Sequence, residues 1–406
     1  MPAYIQREWP VVMCNGGSGK TSLPFSKAEP QVWGHLPLDL INHLASMRGI
    51  NEPELRAMRL LNKHWCRGTN SVVHSIAATY MAVRTMGSFE NMMRHINREF
   101  KQLETIKIGY RLLKDEDLRH IPFLPKLSGI ELEDTSTTEE GLIWLCNSVK
   151  LSSLTLSNVC CGDEGLSSIG KMSSLTSLSL RCQFTDRGMQ SLSNLTQLTS
   201  LSIRDVKIGD SGVECLSRLT QLGRLELWGT NVGTSETTSL SKMISLTDLN
   251  LRCTLVDDDF MQHICLLKNL VFLDVWATRI SSAGLEHIWK LSSLTSLNVG
   301  CSEVDDVGMS YVAKLDTLNH LNLTSTRVGD AGLQKISTLK RLASLKLWST
   351  PITMMGLKHL LPHTNLTELD IGSTGTGMRG WKLAKILKPL ERLTSLTYTS
   401  ICEMGV

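Results

Sequence analysis

No stretch of this 406-residue chain reaches the run of ~20 apolar residues that a membrane-spanning helix needs, although 42% of it is hydrophobic. A formal net charge of +3 supplies no strong field for a phosphate backbone or an anionic bilayer. Neither nucleic acid nor membrane is therefore expected as a partner. The eleven cysteines contain no Cys-x-x-Cys pair, and an odd, scattered set fits a reducing compartment better than a disulfide framework. The opening MPAYIQREWPVV lacks the basic-then-apolar layout of a signal peptide. Asn194, Asn322 and Asn365 begin Asn-Leu-Thr triplets, but Leu-Thr is frequent throughout the chain. Cytoplasm or nucleus is the expected location. The histidines form no His-Glu-x-x-His motif, and no Ser, His and Asp grouping falls at shared positions. No enzyme, cofactor or metal site is expected.

What the chain has is a period. An LxxLxL-like frame begins at Leu103, Leu127, Leu151, Leu175, Leu198, Leu222, Leu246, Leu270, Leu294, Leu318, Leu342 and Leu366, in steps of 24 residues with one of 23. Numbering each repeat from that leucine, positions 4 and 6 are apolar (Leu273, Val275) and position 11 is Val or Ile (Ile280, Val304, Val328). Gly-Leu usually follows at 15 and 16, with apolar residues again at 19 and 22 (Ile288, Leu291). Alternation at 4 and 6 predicts a short strand with that face inward, and the 16, 19, 22 spacing a helical stripe behind it. Glycine at 15 is expected to open the turn into that helix, after an Asp at 13 (Asp210, Asp306, Asp330) suited to a turn or helix N-terminus.

A fixed period of this length carrying LxxLxL resembles the leucine-rich repeat. The resemblance implies an α/β solenoid, with a parallel sheet lining the concave side and helices on the convex side. One such repeat cannot bury its own apolar face, so stacking is obligatory. The expected divisions are a disordered leader over 1–33, a helical segment over 34–72, a junction or irregular first repeat over 73–102, and the solenoid with its C-terminal cap over 103–406.

Within the leader, CNGGSGKTS (14–22) approaches a phosphate loop, but Cys14 stands where the first glycine belongs and Pro24 breaks the helix that must follow. A flexible polar tail is the expectation. The 34–72 segment predicts short helices, with Leu36, Leu40, Ile41 and Leu44 on one face and Leu55, Met58, Leu61 and Trp65 on another. Leu36, Pro37, Leu40 and Leu44, followed by Glu54, Leu55, Arg59, Lys63 and Trp65, resemble an F-box placed just before a leucine-rich array. The match departs from the family at Asp39, where glutamate is commoner, and at Leu60, Leu61 and Asn62, which replace a valine-cysteine. The resemblance implies that residues 36–66 dock the small adaptor of a cullin–RING ubiquitin ligase, through Leu36, Pro37, Leu40, Leu44, Leu55 and Trp65. The alternative is a helical cap over the first repeat's open edge.

On the concave side, solvent is expected to meet positions 3, 5, 7 and 8. Position 7 reads Arg181, Arg204, Trp228, Arg252, Trp276, Gly300, Thr324, Trp348 and Gly372. Parallel strands ~4.8 Å apart make Arg204, Trp228, Arg252 and Trp276 one row, and exposed Trp and Arg are enriched at binding hot spots. A protein or peptide partner is expected at Arg181, Arg204, Trp228, Arg252, Trp276 and Trp348; the competing reading is a ladder in which Arg and Trp stack for stability. Threonine at position 9 is read as a buried hydroxyl row bonding turn backbone. Cys182, Cys253 and Cys301, at or equivalent to position 8, lie too far apart to share a zinc ion.

Overall fold

The computed structural model describes residues 75–79, 88–100, 102–109, 111–123, 126–233, 239–375 and 380–398, all within one compact unit, His74–Val406. The phosphate-loop-like stretch 14–22 and the F-box-like segment 34–72 lie outside the described residues.

Leucine at position 4 recurs at the centre of strand after strand, and the strands stack in sequence order. Among the described residues, fourteen of them form one parallel sheet, from Ser75–Thr79 to Ser395–Tyr398. The register sets like against like: Leu225, Leu249, Leu273, Leu297, Leu321, Leu345, Leu369 and Leu396 face one another across neighbouring strands. Positions 1, 4, 6, 11, 16, 19 and 22 are the core: in the repeat from Leu270, Leu270, Leu273, Val275, Ile280, Leu285, Ile288 and Leu291 are all buried. Each fully buried aliphatic side chain stabilises by roughly 1.5–3 kcal/mol, and each is shared between neighbouring repeats. The segment before Leu103 contributes the helix Phe89–Glu99, capped by Ser88, with Met92, Met93, Ile96 and Phe100 buried.

The helical stripe is shorter than its sequence spacing predicts. Asp330–Ile336 ends at position 19, and Leu339 at position 22 is buried in the turn beyond it. In the repeat from Leu270 the α-helix is replaced by two 3-10 turns, Ala283–Leu285 and Ile288–Lys290. Position 16 and 19 side chains still reach the core, because either winding places residues three apart on one side.

Glycine at 15 does not open the helix; it lies within it, and its reason is the preceding repeat. A Cβ on Gly332 would stand 2.5 Å from Asp306 Oδ1, on Gly284 2.5 Å from Asp258 Oδ1, and on Gly356 2.2 Å from Asp330 Oδ1. Those aspartates occupy position 13, and their carboxylates accept backbone N–H groups of the next repeat. Gly329 and Gly332 donate to Asp306 (2.7 and 2.8 Å), Ser281 to Asp258 (2.7 Å) and Thr353 to Asp330 (2.8 Å). In the repeat from Leu270, Ser282 stands in for the aspartate; its hydroxyl donates to Asp305 Oδ1 and accepts from the Asp305 and Gly308 N–H groups. A charge-assisted staple thus joins repeat to repeat.

Candidate functional site: the open sheet face

The strand proper ends near position 5, and the chain then turns toward the helical side. At position 8 the backbone is left-handed: φ is 55° at Asp205, 55° at Cys253, 53° at Ala277, 52° at Cys301 and 54° at Ser325, with Gly229 at 70°. Only some of these residue types favour that region, so the turn is imposed by its surroundings. Position 9 supplies one cause. Thr230, Thr254, Thr278, Thr326 and Thr350 are buried and donate their hydroxyls to the position 6 carbonyls at 2.6–2.7 Å, as Ser302 does at 2.5 Å. The hydroxyl row is where the sequence places it. In the single 23-residue repeat, Cys182, which falls at position 8 by count, is buried.

Position 5 supplies the other cause. Asn250, Asp274, Asn298, Asn322 and Asp370 each accept the position 7 N–H of their own repeat through Oδ1, at 2.9–3.1 Å. Asp274 is therefore not a solvent-facing charge, as its position suggests, but a buried one. Burial pushes its carboxyl above the usual carboxylate range, against the Trp276 N–H, the Asn298 side chain and Arg252, which pull it down.

Together these two devices hold the position 7 backbone at Arg252, Trp276, Gly300 and Thr324, and a backbone ladder aligns the row. The N–H of position 8 donates to the position 7 carbonyl of the next repeat. Asp205 donates to Trp228 (2.9 Å), Gly229 to Arg252 (2.9 Å), Cys253 to Trp276 (2.8 Å), Ala277 to Gly300 (2.9 Å) and Ser325 to Trp348 (2.7 Å). Arg204, Trp228, Arg252 and Trp276 thus form one unbroken row. Arg181 sits one strand before it, and Trp348 three strands beyond Trp276.

The residues of the row are not equivalent. Arg181 pairs with Asp205 at 3.0 Å, and Arg204 with Glu226 at 2.6 Å while also donating to Ser202. Half-exposed pairs of this kind contribute roughly 0–1 kcal/mol each, so they orient more than they stabilise. Arg252 stacks on the Trp276 ring, 4.9 Å from its centroid, which realises the ladder reading at this one step. Trp276 in turn lies on Gly300, where a Cβ would stand 2.4 Å from its ring carbons; Trp348 lies on Gly372 in the same way, at 2.5 Å. The two glycines that interrupt the row are the floors for two indoles. Trp348 stays 44% exposed, and Trp228 and Trp276 are half-buried. Position 3 adds Arg224, paired with Asp248 at 3.3 Å, and these two with Phe272, Glu226 and Asn250 line a shallow cleft of about 290 Å³.

Cys253 and Cys301 are exposed at position 8, whereas Cys161 is buried beside exposed Cys160. Among the described residues, no three His, Cys, Asp or Glu side chains are grouped to hold a metal ion, and no helix is long and apolar enough to cross a membrane. A larger cleft of about 1370 Å³ lies on the helical side among Glu164, Arg187, Gln190, Glu214 and Arg218. Its walls mix both signs and contain no buried side-chain atom lacking a partner, so the sheet face is the candidate site.

Comparison with known proteins agrees with this architecture. The Leucine Rich repeat family model matches residues 194–217, 290–313 and 315–337. No curated protein matches the chain. An internalin from Listeria monocytogenes superposes with a TM-score of 0.55 at 18% identity, over 78% of this chain and 95% of its own. The TLR13–ssRNA13 complex gives 0.55 at 19% identity, over 82% of this chain and 47% of the receptor. Identities this low establish the fold alone. Residues 194–217, 290–313 and 315–337 match leucine-rich repeats, and the described residues stack as a parallel-sheet solenoid of that fold.

Proposed function

We propose that the protein is a non-catalytic receptor whose open sheet face binds a protein or peptide through Trp228, Arg252, Trp276 and Trp348, with Arg181 and Arg204 at its flank. The observation that carries this is the pair of indoles laid on glycine floors. An indole held flat and half-exposed is a pre-oriented anchor that loses little freedom on binding. A ladder serving stability alone has no use for Trp348, which has no cation stacked on it among the described residues. The repeat architecture supports an interaction role.

Residues 36–66, with their F-box resemblance, extend the proposal. They would dock the small adaptor of a cullin-based ubiquitin ligase and make the solenoid the substrate-recognition subunit. The competing reading is a stand-alone interaction scaffold without a ubiquitin link. One measurement tests the sheet face and a second separates these two readings. Hydrogen exchange on the full chain with its captured partner should show protection centred on the strands from Arg224 to Asn322; protection on the helical side instead would remove the sheet face from the account. Co-elution of the full chain with the adaptor, lost on Leu36→Ala with Pro37→Ala, supports the ligase reading, and a wild-type chain that never co-elutes leaves the scaffold.

A further inference from the structure

Six described cations occupy positions 3, 5 and 7 of the sheet face, and five of them are neutralised. Lys107 pairs with Glu133, Arg181 with Asp205, Arg204 with Glu226, Arg224 with Asp248 and Lys346 with Glu368. Arg252 is the sixth. Among the described residues no carboxylate lies within ion-pair distance of it, and its Nε is buried without a hydrogen-bond partner. The reason is one methylene. Arg204 at position 7 is met by Glu226 at position 5 of the next repeat. The equivalent acid for Arg252 is Asp274, whose shorter side chain folds back to cap the Trp276 N–H at 2.9 Å and is buried there. Beyond ion-pair distance of Asp274 but still attracted by it, Arg252 lies on the Trp276 ring at 4.9 Å.

From this arrangement we infer that Arg252, backed by Trp276, is a seat for a carboxylate of the bound polypeptide. This deepens the sheet-face reading and rests on it. Stacking on the indole fixes the plane of the guanidinium, and with Nε buried the two Nη nitrogens remain as the fork. A planar carboxylate meets such a fork with two parallel hydrogen bonds. A phosphate is the poorer fit: its near-double charge calls for more than one free cation, and the neighbouring cations are already committed to acids. The carboxylate can come from an Asp or Glu side chain or from a chain terminus, which share this chemistry.

The test is selection of peptides from a random display library on the full chain, followed by titration of chosen peptides as synthetic free acids. The seat predicts that each carries a carboxylate whose conversion to the amide weakens binding at least tenfold. Terminal amidation and Glu→Gln or Asp→Asn exchange in the peptide tell the two carboxylate sources apart. Arg252→Gln should weaken binding by the same factor, and combining it with the amide peptide should cost nothing more. Asp274→Glu, which restores the acid that Arg204 has, should compete for Arg252 and weaken acidic peptides while the urea midpoint reports that the chain is folded. Peptides that depend on Trp228 and Trp276 but ignore both Arg252→Gln and the amide exchange would overturn the seat and leave the sheet-face reading standing. A preference for phosphopeptides over carboxylates would overturn it equally. Peptides indifferent to Trp228→Ala with Trp276→Ala would remove the seat and the sheet-face reading together.

Discussion

Single residues set the joints between repeats. A methyl on Gly332 would stand 2.5 Å from Asp306 Oδ1 and 2.6 Å from Val328 Cγ1. Gly332→Ala should therefore lower stability by about 1–3 kcal/mol, the usual cost of overpacking. Gly223→Ala, whose Cβ meets nothing closer than 3.8 Å, should stay within about 0.5 kcal/mol; urea midpoints of the two variants check the contrast. His363 sits at core position 22, fully buried, with Nδ1 2.9 Å from the Leu339 carbonyl and Nε2 without a partner. Burial first, with Lys340 adding to it, holds its pKa below the ordinary histidine value. The unfolded chain then binds the proton more readily than the fold. Its contribution is intact above about pH 6.5, the unfolded value, and is lost as pH falls from there through the lower folded value, with a slope of at most about 1.4 kcal/mol per pH unit. His363→Leu should flatten that part of the stability–pH curve, and an unchanged curve would locate the dependence elsewhere. The threonine row was legible because position 9 repeats one chemistry. The left-handed turn at position 8 was not, because Asp134, Asn158, Asp205 and Gly229 advertise it only in the earlier repeats, and Cys253, Ala277, Cys301 and Ser325 occupy it beyond them. Nor was the true partner of the position 15 glycine, which lies 26 residues back rather than in the adjoining turn.

At the scale of the element, each strand and its turn act as a mount for position 7. The row itself was legible, since a fixed period and parallel pairing dictate which side chains are neighbours. The tilt of the rings was not, although its signal is present: Trp276 and Trp348 are each followed one repeat later by glycine, and Trp228 by Arg252. Position 5 misled because an Asp can cap its own strand end or face water, and only the surrounding burial decides which. A substitution that touches no ligand should then act through the mount. Gly300→Ala places a Cβ 2.4 Å from the Trp276 ring and should lift the indole off its floor. We expect partner affinity to fall nearly as far as with Trp276→Ala, with little change in urea midpoint; unchanged affinity would mean that the ring's position is irrelevant to binding.

The whole described molecule is a stack in which each repeat is stabilised by two neighbours, except at its ends. At the C-terminal strand, Leu393 and Leu396 are half-buried and Tyr398 is 40% exposed, so contacts there are worth less. Leu321→Ala in mid-stack should cost about 2–5 kcal/mol. Leu396→Ala should cost well under half of that, with hydrogen exchange fastest in the last repeats. Equal costs would mean that the end is closed as tightly as the centre. The proposed function rests on the indole row, and its decisive measurement is calorimetric titration of the captured partner with wild type and with Trp228→Ala combined with Trp276→Ala. A hot-spot tryptophan typically contributes at least ~2 kcal/mol to binding, about thirty-fold in affinity. Binding should be more than tenfold weaker in the double variant at a nearly unchanged urea midpoint. Equal affinity in the two proteins, or a double variant that loses its cooperative melt, would contradict the proposed function and return the row to the service of the fold.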